Sequence, residues 1–230
     1  MDCMIHLYHV TKVHASGTEV LQNAFFSAAP GTWTLVTGEG RAGKSTFLKI
    51  LSGEEKPTWG RVVVAGREPA FLSLVERSQW LSTVGLIFPD LGLLPGRTVE
   101  ENLLLPPLLR GQDPSTLKTR MAKLLTEAGL SGKSQYLPDE LSQSEQRLTA
   151  CLRALLPRPT LLLADEPFQG LSPRSTQTLV KLLSEIHREG ATLVTTASNW
   201  REVENPPDVD KVLLSGGKLN PAGTGEGTEQ

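Results

Sequence analysis

Gly38-Glu39-Gly40-Arg41-Ala42-Gly43-Lys44-Ser45 sets two glycines, a lysine and a serine at the spacing Gly-x-x-x-x-Gly-Lys-Ser. Residues of those types at that spacing bind phosphate. The glycines let the backbone turn so that successive N–H groups point inward, and a helix N-terminus behind them adds partial positive charge. Lys44 is then placed to reach the β and γ phosphates of a nucleotide, and the Ser45 hydroxyl to ligate Mg²⁺. Gly38, Glu39, Gly40, Arg41, Ala42, Gly43, Lys44, Ser45 and Thr46 are therefore the candidate nucleotide-binding residues. A second group, Asp165-Glu166, ends the apolar run Leu161-Leu162-Leu163-Ala164. Two adjacent carboxylates at a strand end lie where open α/β sheets hold their ligands. Asp165 is the expected Mg²⁺-side carboxylate. Glu166 is the candidate catalytic residue, placed to orient or deprotonate an attacking water.

Both groups need a strand to deliver them, and the phosphate loop also needs a helix behind it. Thr32 to Thr37 reads as a buried strand, and Thr46 to Leu51 as the first turns of a helix that Gly53 ends. Met4 to Val10 alternates apolar and polar side chains like a half-exposed strand, and Val20 to Ala28 is a second strand closed by Pro30-Gly31. Arg61 to Gly66 and Val84 to Phe88 are further β runs, the latter stopped by Pro89. Helical character follows. Thr98-Val99-Glu100-Glu101 marks a helix start, which Pro106-Pro107 limits. Asp113-Pro114 opens a helix with Leu117, Met121, Leu124, Leu125 and Ala128 on one face, ended by Gly129. Leu148, Cys151, Leu152 and Leu155 repeat the helical spacing, and Ser172-Pro173 caps a helix carrying Leu179, Leu182, Leu183 and Ile186. Thr192 to Thr196 is a β-branched strand and Val212 to Leu214 the last β run. Leu214-Ser215-Gly216-Gly217-Lys218 is best read as a hairpin turn.

Composition narrows the function class. At 230 residues the chain is long enough for a sizeable core. Lys+Arg 23 against Asp+Glu 25 leaves a net charge of -2, so nothing favours nucleic acid or an anionic membrane surface as the main partner. Cys3 and Cys151 lack any metal-ligand or redox spacing and read as free thiols of a reducing compartment. No run reaches the roughly eighteen apolar residues of a membrane span, and the N-terminus has no signal pattern. Any membrane association is expected through a partner. Asn220 to Gln230 is too polar to fold and is expected to be a disordered tail.

The order of these pieces resembles the nucleotide-binding subunits of ABC transporters, and residues 4–219 are most similar to the cell-division ATP-binding subunits of the FtsE type. Arg97-Thr98-Val99-Glu100-Glu101-Asn102, the Leu141-Ser142 pair ahead of Glu145-Gln146, and Leu162-Leu163-Ala164-Asp165-Glu166-Pro167 carry the resemblance. It implies an α/β fold of the P-loop NTPase type over residues 1–219, with a RecA-like core on a mostly parallel sheet. An antiparallel β lobe and an inserted helical lobe at about residues 90–155 would complete it. It further implies ATP and Mg²⁺ as cofactors, and a second ATP-binding subunit, in a homodimer or heterodimer that sandwiches two nucleotides head to tail. An integral membrane partner, FtsX-like or a permease, would hold the assembly at the cytoplasmic face of the plasma membrane. His14 falls near the family's adenine-stacking aromatic, where it could stack or remain a solvated loop histidine.

The chain departs from the family pattern at several points. The signature Leu-Ser-Gly-Gly-Gln/Glu stands here as Leu141-Ser142-Gln143-Ser144-Glu145, and side chains in place of its glycines obstruct the approach of a facing subunit's phosphate. Pro89 replaces the glutamine after the third strand of that core, Ser172 replaces an aspartate, and Ser198 replaces the histidine that contacts the γ-phosphate. Nucleotide binding needs only residues that are present. Losing one preorganised transition-state donor lowers a rate by about 10²–10³-fold, so hydrolysis is expected to be reduced. An ATPase subunit and a non-hydrolysing regulatory or assembly subunit both fit these residues.

Overall fold

The alternating segments and the continuous apolar runs segregate into two different sheets. The structure, a computed structural model, describes residues 3–200 and 208–221. In chain order its strands are β1 (Ile5–Val13), β2 (Glu19–Ala28), β3 (Trp33–Thr37), β4 (Trp59–Val64), β5 (Val84–Ile87), β6 (Leu161–Ala164), β7 (Thr192–Ala197), β8 (Val209–Ser215) and β9 (Lys218–Pro221). Its α-helices are α1 (Lys44–Leu51), α2 (Leu74–Leu81), α3 (Val99–Leu109), α4 (Pro114–Glu127), α5 (Gln143–Leu155) and α6 (Pro173–Arg188).

β1, β2 and β4 have one buried face each and form an antiparallel sheet in the order β2-β1-β4. The second sheet runs β5-β6-β7-β3-β8-β9, parallel except for the terminal β8-β9 hairpin. Every residue of β3, β6 and β7 is buried, which is why these strands read as unbroken apolar or β-branched runs. Trp33, Leu35, Leu162 and Leu193 face one apolar cluster shared with α3, α4, α5 and α6. Val36, Leu163 and Val194 face a second one, shared with α1 and the antiparallel sheet. Because β3, β5, β6 and β7 are parallel, the loops that follow them leave from one edge. Gly38, Pro89, Asp165 and Ser198 begin those loops or lie just inside them.

Several boundaries move from the sequence reading. β1 extends to Val13 through bulges, where His9 and Asn23 both adopt positive φ. α1 begins at Lys44, one turn fragment earlier than expected. α2 had no counterpart, although Ser73 and Glu76 carry its capping box. Pro106 and Pro107 do not limit α3, which continues to Leu109. Each proline forfeits one ladder bond in the last turn, and the helix persists without them. Val212 to Leu214 is not the last β run. Asn220 and Pro221, assigned to the tail, pair with Leu213 and Val212 in β9. The remainder of the expected tail, 222–230, lies outside the described residues. Gly216 and Gly217 form the β8-β9 turn with φ of 54° and 72°.

Side chains tie the loop after β5 to the helices. Arg153 of α5 donates to the carbonyls of Leu91 at 2.6 Å and Gly92 at 2.5 Å. The buried Asn102 of α3 donates to the carbonyls of Leu94, Arg97 and Thr98 and accepts from the Leu94 N–H. α5 itself starts at a capping box. The Glu145 carboxylate accepts from the Ser142 N–H at 3.0 Å, the Ser142 hydroxyl accepts from the Glu145 N–H, and Lys133 Nζ donates to Glu145 at 2.6 Å.

Two expectations follow from this packing. Burial pushes the Cys151 thiol up to about 12, while Cys3 is only half-buried. Since the thiolate is the nucleophile, iodoacetamide at about pH 8.5 should label Cys3 in the native protein and Cys151 only after unfolding. Equal native labelling, read by mass spectrometry, contradicts this. The Lys133 ammonium first, then the Ser142 N–H, hold the Glu145 carboxyl below its ordinary range. A depressed folded value contributes stability above the unfolded value, about 4.3, which is lost as pH falls through the folded value. Glu145→Gln should therefore cost about 0.5–1 kcal/mol near pH 7, with the difference from the parent shrinking as pH falls below about 4.3. A pH-independent difference in urea unfolding would rule this cause out.

Candidate nucleotide-binding site

β3 delivers the chain to Gly38, and the turn there has no room for a side chain. A Cβ on Gly38 would lie 2.5 Å from the Leu214 carbonyl oxygen of β8. Gly43, the N-cap of α1, has φ 103°, and a Cβ there would meet the Val20 carbonyl oxygen at 3.0 Å. Between them Arg41 also adopts a left-handed conformation, φ 69°. The loop curls over a pocket of about 400 Å³. Gly40, Arg41, Ala42, Gly43, Lys44 and Ser45 form one side of it. Thr46, His14 and the β1-β2 turn form another, and Glu166 closes it. His14 Nε2 lies 3.3 Å from Thr46 Oγ1, which holds the imidazole against the start of α1.

Lys44 is almost fully buried and its ammonium is well supplied with oxygens. Nζ donates to the Gly38 carbonyl at 2.8 Å and the Glu39 carbonyl at 3.3 Å, and pairs with Glu166 Oε1 at 3.4 Å. Gly38, Glu39 and Asp165 do not line the pocket; Gly38 and Asp165 are buried and Glu39 is exposed. Asp165 is fully buried. Its Oδ1 accepts from Thr196 Oγ1 at 2.7 Å, and its Oδ2 has no hydrogen-bond partner. A buried carboxylate oxygen in that condition is costly unless a cation or water completes it. Ser45 exposes its hydroxyl on the pocket wall. Two hard oxygen donors of this kind suit Mg²⁺, which fills the rest of its shell with water and phosphate oxygens. Accordingly no cluster of three or more His, Cys, Asp or Glu that could hold a metal occurs among the described residues.

Glu166 has φ 44°, unusual for a non-glycine residue. Its N–H donates to Thr196 Oγ1 at 2.9 Å, and its carbonyl accepts from the Gln169 N–H at 3.1 Å and from Arg147 Nη1 at 3.3 Å. Its carboxylate meets Lys44 and accepts from Ser198 Oγ at 3.3 Å. Thr196 and Arg147 had not been anticipated. The only trace of Thr196 in the sequence is its place in a β-branched run, and Arg147 stands one residue before the apolar stripe of α5.

The positions that depart from the family pattern lie elsewhere, apart from Ser198. Pro89 is exposed at the end of β5. Gln143 and Ser144 form the first turn of α5, where Ser144 Oγ reaches Ser175 Oγ at 3.5 Å. Ser172 caps α6 by accepting from the Ser175 N–H at 3.2 Å. None of these lines the pocket.

Comparison with known proteins agrees with this geometry. The family model described as ABC transporter matches residues 21–169. The cell division ATP-binding protein FtsE of Bacillus subtilis is 33% identical over 202 residues, 88% of each chain. FtsE of Escherichia coli K12 is 34% identical over 83% of this chain and 86% of its own. The lipoprotein-releasing system ATP-binding protein LolD 1 of Rhodopirellula baltica is 36% identical over 78% of this chain and 79% of its own. Among solved structures, the dimeric bacterial ABC transporter cassette MJ0796 superposes with a TM-score of 0.84 at 26% identity, covering 94% of this chain and 96% of that one. Its post-hydrolysis state, bound to ADP and Pi, gives 0.83. The chain belongs to the ABC transporter family, as an ATP-binding cassette with a P-loop NTPase fold.

Proposed function

We propose that this subunit binds Mg-ATP in the pocket beneath the phosphate loop and hydrolyses it slowly. Nucleotide-dependent pairing with a second ATP-binding subunit would drive an integral membrane partner of the FtsX or permease type from the cytoplasmic face of the plasma membrane. The observation that carries this reading is the intact loop folded around Lys44, with Glu166 across the pocket and Asp165 Oδ2 unpaired behind it. The family membership and the FtsE, LolD and dimeric MJ0796 relatives support a paired assembly with a membrane partner. We take residues 1–219 as one ATP-binding domain.

Each residue then has a defined task. Gly38 and Gly43 bring backbone N–H groups close to the phosphates, and Lys44 neutralises their charge. Ser45 and Asp165 would hold Mg²⁺, which supplies further charge neutralisation on the phosphates. His14 and Thr46 bound the end of the pocket away from Glu166, where His14 can stack on the adenine. A phosphate oxygen that takes Lys44 releases Glu166 from its ion pair, leaving a carboxylate free to orient an attacking water or accept its proton. Thr196 keeps Asp165 and Glu166 in fixed relation while this happens.

A second reading, a regulatory or assembly subunit that binds ATP without hydrolysing it, is favoured by Ser198. Its hydroxyl bonds Glu166 itself, and a serine cannot reach or charge a γ-phosphate as an imidazole does. The altered signature at Gln143 and Ser144 points the same way, although effects of residues that act together do not simply multiply.

Binding and turnover separate these readings. Lys44→Ala should weaken ATP binding by at least about tenfold in calorimetry, since a lost charge-assisted contact removes more than 1.4 kcal/mol. Glu166→Gln should bind nucleotide at least as tightly as the parent while phosphate release falls to background. Parent turnover equal to that of Glu166→Gln would leave the non-hydrolysing reading standing. Failure of the parent chain to bind ATP would sink both.

A further inference from the structure

One buried cation has no part in the pocket itself. Arg147 sits in the second turn of α5 with 8% of its surface exposed. A guanidinium carries several N–H donors and stays charged at any ordinary pH, so burying it is costly unless a carboxylate receives it. Arg147 forms no ion pair among the described residues. Its hydrogen bond there runs from Nη1 to the Glu166 carbonyl, 3.3 Å away. Its neighbours on α5, Leu148 and Cys151, belong to the apolar cluster, and the charge of Arg147 is felt at Cys151 one turn on. An apolar side chain of similar volume would occupy this place with less desolvation. Among the described residues, stability does not account for an arginine here, whereas the group it reaches does.

That group belongs to the residue whose backbone most needs holding. Glu166 has φ 44°, and a non-glycine residue persists there only when its surroundings over-determine it. Thr196 holds its N–H, and Gln169 and Arg147 hold its carbonyl. Gln169 lies on the same short turn and moves with Glu166. Thr196 and Arg147 are the contacts from outside the turn. With its N–H held by Thr196, a turn of φ at Glu166 would move its carbonyl and its side chain together, off Arg147 and off Lys44 and Ser198.

We propose that Arg147 is a positioning residue, whose tie from α5 to the Glu166 carbonyl holds the backbone conformation that aims the Glu166 carboxylate at Lys44. The proposal rests on the nucleotide-binding reading of the pocket. It has a mechanical consequence, because α5 opens with Gln143-Ser144-Glu145. A shift of that helix end, the segment that would face a second subunit, reaches Glu166 through a single side chain.

The test is a double-mutant cycle read by fluorescence titration with methylanthraniloyl-ADP, a probe that is not turned over. Glu166→Gln releases Lys44 for the phosphates and should tighten binding by about three- to tenfold, the scale of a partly exposed ion pair. Arg147→Met fills the same volume without the tie. It should keep the melting temperature, reproduce the tightening, and add nothing further in the Arg147→Met/Glu166→Gln double variant. Arg147→Lys retains one donor for the carbonyl and should return affinity to the parent value. If Arg147→Met does not fold, Arg147→Leu takes its place in the cycle. Parent-like affinity in the Met variant, multiplicative shifts in the double variant, or no rescue by lysine would each overturn the role of Arg147 alone. A parent chain that fails to bind the probe overturns the nucleotide reading and this proposal with it.

Discussion

In-register parallel pairing of β3, β6 and β7 is the constraint from which the site follows. Thr37 pairs with Ala197, and Ala164 pairs with Thr195, so β6 ends two residues short of β3 and β7 and Asp165 leaves it level with Thr196. The next residue on β3 is Gly38, and the next on β6 is Asp165. Between them Thr196 can both donate to Asp165 and accept from the Glu166 N–H. A slip of one residue in β7 would move the Thr196 side chain to the opposite face of the sheet and leave both acidic residues without it. Burial on both faces prevents the slip, because Leu193 and Val194 fill different apolar clusters. Packing far from the pocket thus sets the relation of a few oxygen atoms inside it.

The pocket is electrostatically uneven. Lys44 is supplied with two carbonyls and a carboxylate, whereas Asp165 keeps one buried oxygen unpaired. The cation is stored against groups it can exchange, since two loop carbonyls and a partly exposed glutamate can give way to phosphate oxygens. The anion is stored against nothing on that side. A ligand that brings both negative phosphates and a hard cation relieves both conditions at once, and a phosphate or a cation alone relieves one.

Much of this was legible in the residues and some was not. The phosphate loop could be read because its chemistry is local: glycines at Gly38 and Gly43, a lysine and a hydroxyl on one short segment. Asp165 and Glu166 could be read because a fully apolar strand announces where it ends. Thr196 and Arg147 could not, since their roles come from register and helix packing across 30 and 19 residues of sequence. The family resemblance likewise pointed to Ser198 as a missing histidine, but not to the bond its hydroxyl makes with Glu166. α3 passes through Pro106-Pro107 for a similar reason. Leu103 and Leu104 bury against the helical cluster, and that packing carries the last turn despite its lost bonds.

The altered positions divide by what they can touch. The loop residues, Asp165 and Glu166 work within one chain, and they retain their types. Gln143, Ser144 and Ser172 lie at helix starts away from the pocket, and Ser144 and Ser172 both bond Ser175. Pro89 leaves β5 into a loop that Arg153 and Asn102 pin, and it offers no amide side chain. Ser198 alone combines both classes. A histidine at the end of β7 would extend toward the phosphates, but a serine stops at the Glu166 carboxylate and competes with water for it. Relative to the family pattern, the loop residues, Asp165 and Glu166 keep their types, and the changes fall at Pro89, Gln143, Ser144, Ser172 and Ser198.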